Sequence, residues 1–291
     1  MTKKVIIVKL GGAAITDKRG ICQLSDPSQL EKTLNQVETA YQHLTQSGHQ
    51  LILIHGAGSF GHPQAKQYNL KPGWTTSANY LKGFSHIRHC LQSLSQHICS
   101  SLESRNVPVL AMSPLDYIQT QDCEQTPTEL FKPMAARVQQ YLDLGFVPVL
   151  HGDAVLDQIR GCTILSGDII MYQLTRLITV TRCIFVTDVN GIYKTDPKQD
   201  KTDKNPLITQ ILAQEQELQQ SNNNTMVDVT GGMQGKIKWA KKIVLSDDKI
   251  DCIICKWGSK EALEMMSLEP IVKQDSYQMT IVTSTLESVV S

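Results

Sequence analysis

The chain has 291 residues, 28 of them basic and 28 acidic, so its formal net charge is zero. That balance excludes a bulk nucleic-acid binder, whose affinity is built from many Lys and Arg against phosphate. An apolar share of 41% with 19% charged residues excludes a disordered chain. No apolar run approaches the ~20 residues that span a bilayer, so no membrane partner is expected. Lys9 and Gly11-Gly12 interrupt the first apolar stretch before it could act as a secretory leader. A cytoplasmic setting is expected, with the eight scattered cysteines reduced.

Val5-Ile6-Ile7-Val8 reads as a buried strand entering the turn Lys9-Leu10-Gly11-Gly12. A helix should then open at Asp26 as N-cap, with Pro27 as its first residue and Gln29 completing a capping box. Leu30, Leu34, Val37, Tyr41 and Leu44 fall on one face of it, and Gly48 stops it. A strand over 51–54 runs into His55-Gly56-Ala57-Gly58-Ser59-Phe60-Gly61-His62. Further on, the pattern predicts a helix over 79–103, a strand over 107–111, a helix ending near Gly145 and a strand over 146–150. A hairpin over 154–165, a helix from Asp168 and a strand over 183–187 follow. A helix after Gly232 and strands over 251–255 and 279–283 complete the series.

Strands alternating with helices predict a single three-layer α/β/α sandwich with a mainly parallel central sheet. Ligands of such sheets bind beyond the carboxyl ends of the strands, where the glycine turns lie. Residues 196–206, rich in Asp, Lys and Pro, are the candidate flap. Cys252-Ile253-Ile254-Cys255 has metal-site spacing but sits in an apolar run with no second pair, so it reads as strand.

Gly56-Ala57-Gly58-Ser59-Phe60-Gly61 matches the dinucleotide fingerprint literally. It lacks the acidic residue ~20 positions on that would bind a ribose, since no Asp or Glu falls between Gly61 and Glu103. The remaining glycine turns carry a phosphate logic instead. Gly11-Gly12, with Lys9 and Lys18 close by, lets backbone N–H groups approach an anion. Gly231-Gly232 opens a helix with Lys236 in its first turn. Gly167-Asp168 opens another; its carboxylate either caps the helix or sits among the lysines and orients them.

Val8-Lys9-Leu10-Gly11-Gly12, the His-Gly-x-Gly turn, Thr187-Asp188-Val189-Asn190-Gly191 and Asp228-Val229-Thr230-Gly231-Gly232-Met233 resemble the amino acid kinase superfamily, in order and over nearly the whole chain. Within it, three segments are similar to the isopentenyl phosphate kinases. These are Gly58-Ser59-Phe60-Gly61-His62-Pro63, the loop Ile15-Thr16-Asp17-Lys18, and His151-Gly152-Asp153 followed by Leu165-Ser166-Gly167-Asp168. A fosfomycin-type kinase also carries a histidine at the place of His62.

The resemblance implies transfer of the ATP γ-phosphoryl group to isopentenyl phosphate. It assigns the γ-phosphoryl to Lys9 and the amides of Gly11 and Gly12, and transition-state charge to Lys18. The acceptor phosphate falls to His62, with the backbone near Ala57 and Gly167. Asp168 would organise the two lysines. Gly58 would line the ATP phosphates; Asp188 and Tyr193 would touch the nucleotide, and Gly231, Gly232 and Lys236 its phosphates. Ile87 and Ile164 match positions lining the pocket for the isoprenyl tail, though their sequence context fits ordinary core equally well. An acceptor lobe over about 1–175, a nucleotide lobe over about 176–291, a homodimer, and Mg²⁺ carried by ATP rather than by a protein cage complete the expectation. Two departures stand out: Ile169 follows Asp168 where a second Asp is common, and Ala57 replaces a glycine. Lys9, Lys18, His62 and Lys236 are expected to converge, with the compensating acids elsewhere in the chain.

Overall fold

In the computed structural model, which describes residues 3–194, 206–214, 231–271 and 277–284, β1 (Val5–Leu10) is buried at all six positions. A strand buried on both faces belongs in the middle of a covered sheet. In chain order there follow the one-turn helix α1 (Gly12–Ile15), the long α2 (Pro27–Gln46), β2 (Gln50–His55), the short α3 (His62–Gln67), the long α4 (Ala78–Glu103), β3 (Val109–Ala111), α5 (Lys132–Asp143) and β4 (Val147–His151). The hairpin β5 (Asp153–Asp157) and β6 (Gly161–Leu165) leads to α6 (Gly167–Leu177) and β7 (Arg182–Thr187). The short strands β8 (Ile192–Tyr193), β9 (Leu207–Ile208) and β10 (Gln210–Leu212) precede α7 (Gly231–Ser246), β11 (Asp251–Lys256), α8 (Lys260–Met266) and β12 (Met279–Thr283).

Eight strands form one sheet in the order β10-β12-β11-β7-β1-β2-β4-β3. All neighbours are parallel except β11 and β12. Period-2 alternation divides β1 between two cores. Val5 and Ile7 face α5, α6 and α7 through Met134, Val138, Ile170, Leu174, Trp239 and Ile243. Ile6, Val8 and Leu10 face α1, α2, α4 and α8 through Ile15, Leu34, Val37, Leu94, Ile98 and Met265. The three-layer α/β/α sandwich is thus as expected.

Most predicted elements appear within two residues of their observed ends. The capping box on α2 is a correction. Asp26 accepts from the Ser28 N–H, but Gln29 does not reach back to it. Its Nε2 donates to the carbonyls of Ala13 and Ala14, 3.0 Å from each, because one-turn α1 leaves those carbonyls unpaired beside it. Cys252 and Cys255 are buried in β11 and join opposite cores, so they cannot share one metal ion. Residues 196–205 of the expected flap, and Asp228, Val229 and Thr230, lie outside the described residues.

Candidate active site at the carboxyl ends of the strands

The glycine turns are extensions of the parallel ladder. The Gly11 N–H donates to Val186 O (2.8 Å), Gly56 N–H to Leu10 O (2.8 Å) and Gly152 N–H to His55 O (3.1 Å). Turns after β1, β2 and β4 are therefore fixed side by side. They touch through backbone: a Cβ on Gly12 would lie 2.5 Å from Gly58 N and Cα, and one on Gly56 would lie 2.7 Å from Gly12 N. Gly58 also has φ +50°, and a Cβ there would strike Thr16 Oγ1 at 2.0 Å, so glycine is required on both counts. Thr16 Oγ1 accepts from the Ser59 N–H (3.1 Å), and Ser59 Oγ donates to Gln23 O (2.7 Å). The loop carrying Lys18 is thereby tied to the turn carrying His62. Sequence reading quoted Thr16 and Ser59 within matching segments but gave them no role, because nothing in their spacing shows that they bond across the two turns.

Lys9 lies on β1 with Val5 and Ile7, on the face covered by α6. Its Nζ is 2.8 Å from Asp168 Oδ1, with side chains 7% and 12% exposed. Its stem passes under Gly167, where a Cβ would lie 3.0 Å from Lys9 Cε. The choice left open for Asp168 is resolved: Ser166 caps α6 by accepting from the Asp168 N–H (3.1 Å). The Asp168 carboxylate is left to pair with the lysine.

Lys18 is half exposed and reaches Asp188, at the end of β7, with 2.9 Å between Nζ and Oδ2. Lys236, in the second turn of α7, is partly buried. Burial, followed by the charge of Lys9, lowers its pKa to about 8 against the opposing pull of Asp168 and Asp188. His62 opens α3 with Pro63 behind it. Its side chain meets solvent, yet burial by surrounding protein, then the charges of Lys9 and Lys236, lower its pKa. Lys9, Lys18, Lys236 and the His62 ring do converge. The acids do not lie elsewhere: Asp168 and Asp188 sit within the same cluster, because each holds a lysine in place. Among the described residues no three His, Cys, Asp or Glu side chains are grouped to hold a metal ion.

Ala57, in place of a glycine, has φ −73° and ψ −35°, an ordinary helical conformation for alanine. Its N–H has no acceptor among the described residues. The fingerprint glycines lead into a 3₁₀ turn and the six-residue α3, not the long helix of a dinucleotide fold. Ile87 (1% exposed) on α4 and half-buried Ile164 on β6 join a third apolar cluster with Leu70, Tyr80, Leu91 and Cys162. Phe84 and Ala57 pack against it, so it abuts the His62 turn. Tyr193, half-buried on β8, has its pKa raised by burial. Gly191 in the turn before it presses on Thr280, where a Cβ would meet Oγ1 at 2.3 Å. A recess of about 430 Å³ lined by Lys4, Arg182, Asp251 and Leu268 opens at the opposite, amino end of the strands. Arg182 there is already engaged by Asp251 and by the carbonyls of Met265 and Glu269.

The buried lysine, the glycine turns at the carboxyl ends of parallel strands and the early turns of α7 with Lys236 thus lie together at one end of the sheet. The chain belongs to the amino acid kinase family, matching it over residues 4–256. It is similar to isopentenyl phosphate kinases: 32% identity to that of Methanocaldococcus jannaschii, over 81% of this chain and 86% of the relative. The Arabidopsis thaliana enzyme is 30% identical, covering 81% of this chain and 83% of its own. A crystal structure of isopentenyl phosphate kinase superposes with a TM-score of 0.72 at 26% identity, covering 96% of this chain and 100% of that one. A glutamate 5-kinase from Desulfotalea psychrophila is also similar, at 26% identity over 83% of this chain but 58% of its own length.

Proposed function

We propose that this chain transfers the γ-phosphoryl group of ATP to isopentenyl phosphate, giving isopentenyl diphosphate and ADP. The observation that carries the reading is His62, solvent-accessible beside Lys9 and Lys236 and next to an apolar cluster. This pairs a phosphate-binding donor with a surface for a hydrocarbon tail. The similarity to isopentenyl phosphate kinases from an archaeon and a plant supports it.

A phosphate monoester has a second pKa near ~6, so the attacking oxygen is already anionic at neutral pH and needs no general base. The task is to hold two anions in line and stabilise the charge as it moves. Lys9, fixed by Asp168, meets the transferring group. The Gly11 N–H is spent on Val186, so of the glycine pair it is the Gly12 amide that serves there. Lys18 exchanges Asp188 for phosphate; an exposed ion pair is worth ~1 kcal/mol or less, so the exchange is cheap. His62, its pKa lowered, donates a hydrogen bond to the acceptor as a neutral ring. Gly58 and the Gly231-Gly232 start of α7, with Lys236, serve the nucleotide phosphates, and Asp188 and Tyr193 the nucleoside.

An ADP-release assay with isopentenyl phosphate against glutamate, fosfomycin and uridylate tests the acceptor. Turnover with isopentenyl phosphate is expected; turnover of glutamate in its place would favour the second group of relatives and overturn the assignment. His62→Ala is expected to raise the acceptor KM ~10–100-fold, the loss of a hydrogen bond to a charged group, with ATP affinity within threefold of the parent. Equal losses for both ligands would remove His62 from the acceptor side.

Lys236 adds a pH signature. Triphosphate binding favours its protonated form, so Lys236 itself should not weaken ATP binding well below pH about 8. As pH rises through about 8 affinity should fall, by at most tenfold per unit. Lys236→Arg, which stays charged, should flatten that limb in calorimetric titrations. An unchanged limb in the arginine variant would assign the titration to another group.

A further inference from the structure

The sequence carries His-Gly twice at strand ends, His55-Gly56 after β2 and His151-Gly152 after β4, and phosphoryl transfer as derived above uses neither histidine. Both are buried, 0% and 2% exposed. They are register partners on adjacent parallel strands, with rings stacked at 5.3 Å between centroids and 26° between planes. Each ring makes the same unusual contact: His55 Nδ1 lies 3.2 Å from Gly56 O, and His151 Nδ1 lies 3.0 Å from Gly152 O. A carbonyl only accepts, so both Nδ1 atoms carry the proton.

We infer that His55 is a positioning residue for the acceptor phosphate: by holding Gly56 O inward it turns the Gly56–Ala57 peptide so that the Ala57 N–H points outward into the site. The argument is geometric. The described chain has no cis peptide, and in a trans peptide the C=O and the following N–H point in opposite directions. Pinning the oxygen against the buried imidazole therefore aims the nitrogen away from it. Among the described residues the His55 bond is the only one that either end of this peptide makes. The Gly56 N–H on Leu10 O and the Ala57 O on the Phe60 N–H hold the flanking residues, and the His55 bond holds the peptide's own oxygen.

The ring carries a cost that simple packing would avoid. His55 Nε2 is buried without a partner, and burial, the neighbouring His151 and Lys9 push the pKa of the ring down to about 3, so it stays neutral. An apolar ring would fill the space without that orphaned acceptor; Nδ1 is what histidine adds. His151 acts as the buttress. It stacks on His55, and the amide of its own glycine, Gly152, donates to His55 O at 3.1 Å. Asp153, held by Arg88 and Ser113, lies 4.0 Å from His151 Nδ1.

What the amide binds rests on the acceptor reading above; which way it points does not, and the test separates the two. In His55→Asn the side-chain amide keeps a donor at the place of Nδ1, whereas His55→Leu removes it. The leucine variant is expected to raise the KM for isopentenyl phosphate at least tenfold, with ATP affinity within threefold, and the asparagine variant to stay within about threefold of the parent. Crystal structures of both, unliganded, should find the Gly56–Ala57 peptide rotated in the leucine variant and native in the asparagine variant. Should the leucine variant fail to fold, His55→Gln, whose amide reaches the Nε2 position instead, replaces it with the same expectation. An unmoved peptide without the Nδ1 donor, or a folded asparagine variant as impaired as the leucine one, would overturn the inference. A parent enzyme that ignores isopentenyl phosphate while the peptide still rotates would overturn the acceptor reading alone.

Discussion

A Lys9→Met variant is expected to lose about 10³-fold in kcat while keeping its fold. Methionine fills nearly the same volume and can follow the lysine stem beneath Gly167, where the clearance for a Cβ is only 3.0 Å. On the proposed function, what disappears is the charge that meets the phosphoryl group, in a site where Lys9 is already buried. One preorganised donor is worth ~10²–10³ in rate and a cation on a transferring phosphoryl group ~10³ or more. Because Lys9 is the buried member of the cationic cluster, water cannot replace it. Single-turnover kinetics at saturating ATP and acceptor, with a thermal melt alongside, measure the effect. A kcat within tenfold of the parent would move the chemistry away from β1.

Asp168→Asn is expected to act first on stability. The substitution preserves shape and the cap from Ser166, but it leaves Lys9 buried, at 7% side-chain exposure, beside a neutral amide. Removing one partner of a buried pair costs about 3–5 kcal/mol, a fall in Tm of roughly 6–15 °C for a chain of this size. ATP should recover part of that loss, since its phosphates replace the missing negative charge and binding to the folded state adds stability. A variant as stable as the parent without ligand would mean that the pair is not balanced within the protein. A variant that ATP fails to stabilise would separate Lys9 from the nucleotide.

The architecture was legible because the chain obeys local rules. The buried strands β1, β2 and β4 run straight into glycines, α2 has its Asp26 cap and Gly48 stop, and the 154–165 hairpin turns at a glycine with φ +72°. Lys9, Gly12 and Lys236 could be singled out because lysines beside glycine pairs at strand ends have a shared chemical logic. What stayed hidden is long-range. Gln29 fits a capping box by spacing, yet it serves the carbonyls of α1, a neighbour no local pattern reveals. Which lysine each acid holds was hidden for the same reason, since Asp168 pairs with Lys9 and Asp188 with Lys18. Asp168 is 159 residues from Lys9 and Asp188 is 170 from Lys18, and only the adjacency of β1, β2 and β7 brings them together. Thr16, Ser59 and His151 lie within the motifs that carry the resemblance, but their partners show only when the turns are seen side by side.

That separation bears on how the molecule is made. Both sheet neighbours of β1 follow it in the chain: β2 begins at Gln50, and β7, which supplies the acceptor for the Gly11 amide, at Arg182. The carboxylate that neutralises Lys9 emerges only with α6. Until then a nascent chain would have to bury an uncompensated ammonium group in order to close the first half of its sheet, so partial closure is opposed by charge as well as by loop entropy. Contacts of such high sequence separation form late and slowly. Closure of the sheet over Lys9 is therefore expected to follow the appearance of α6, which carries its Asp168 partner.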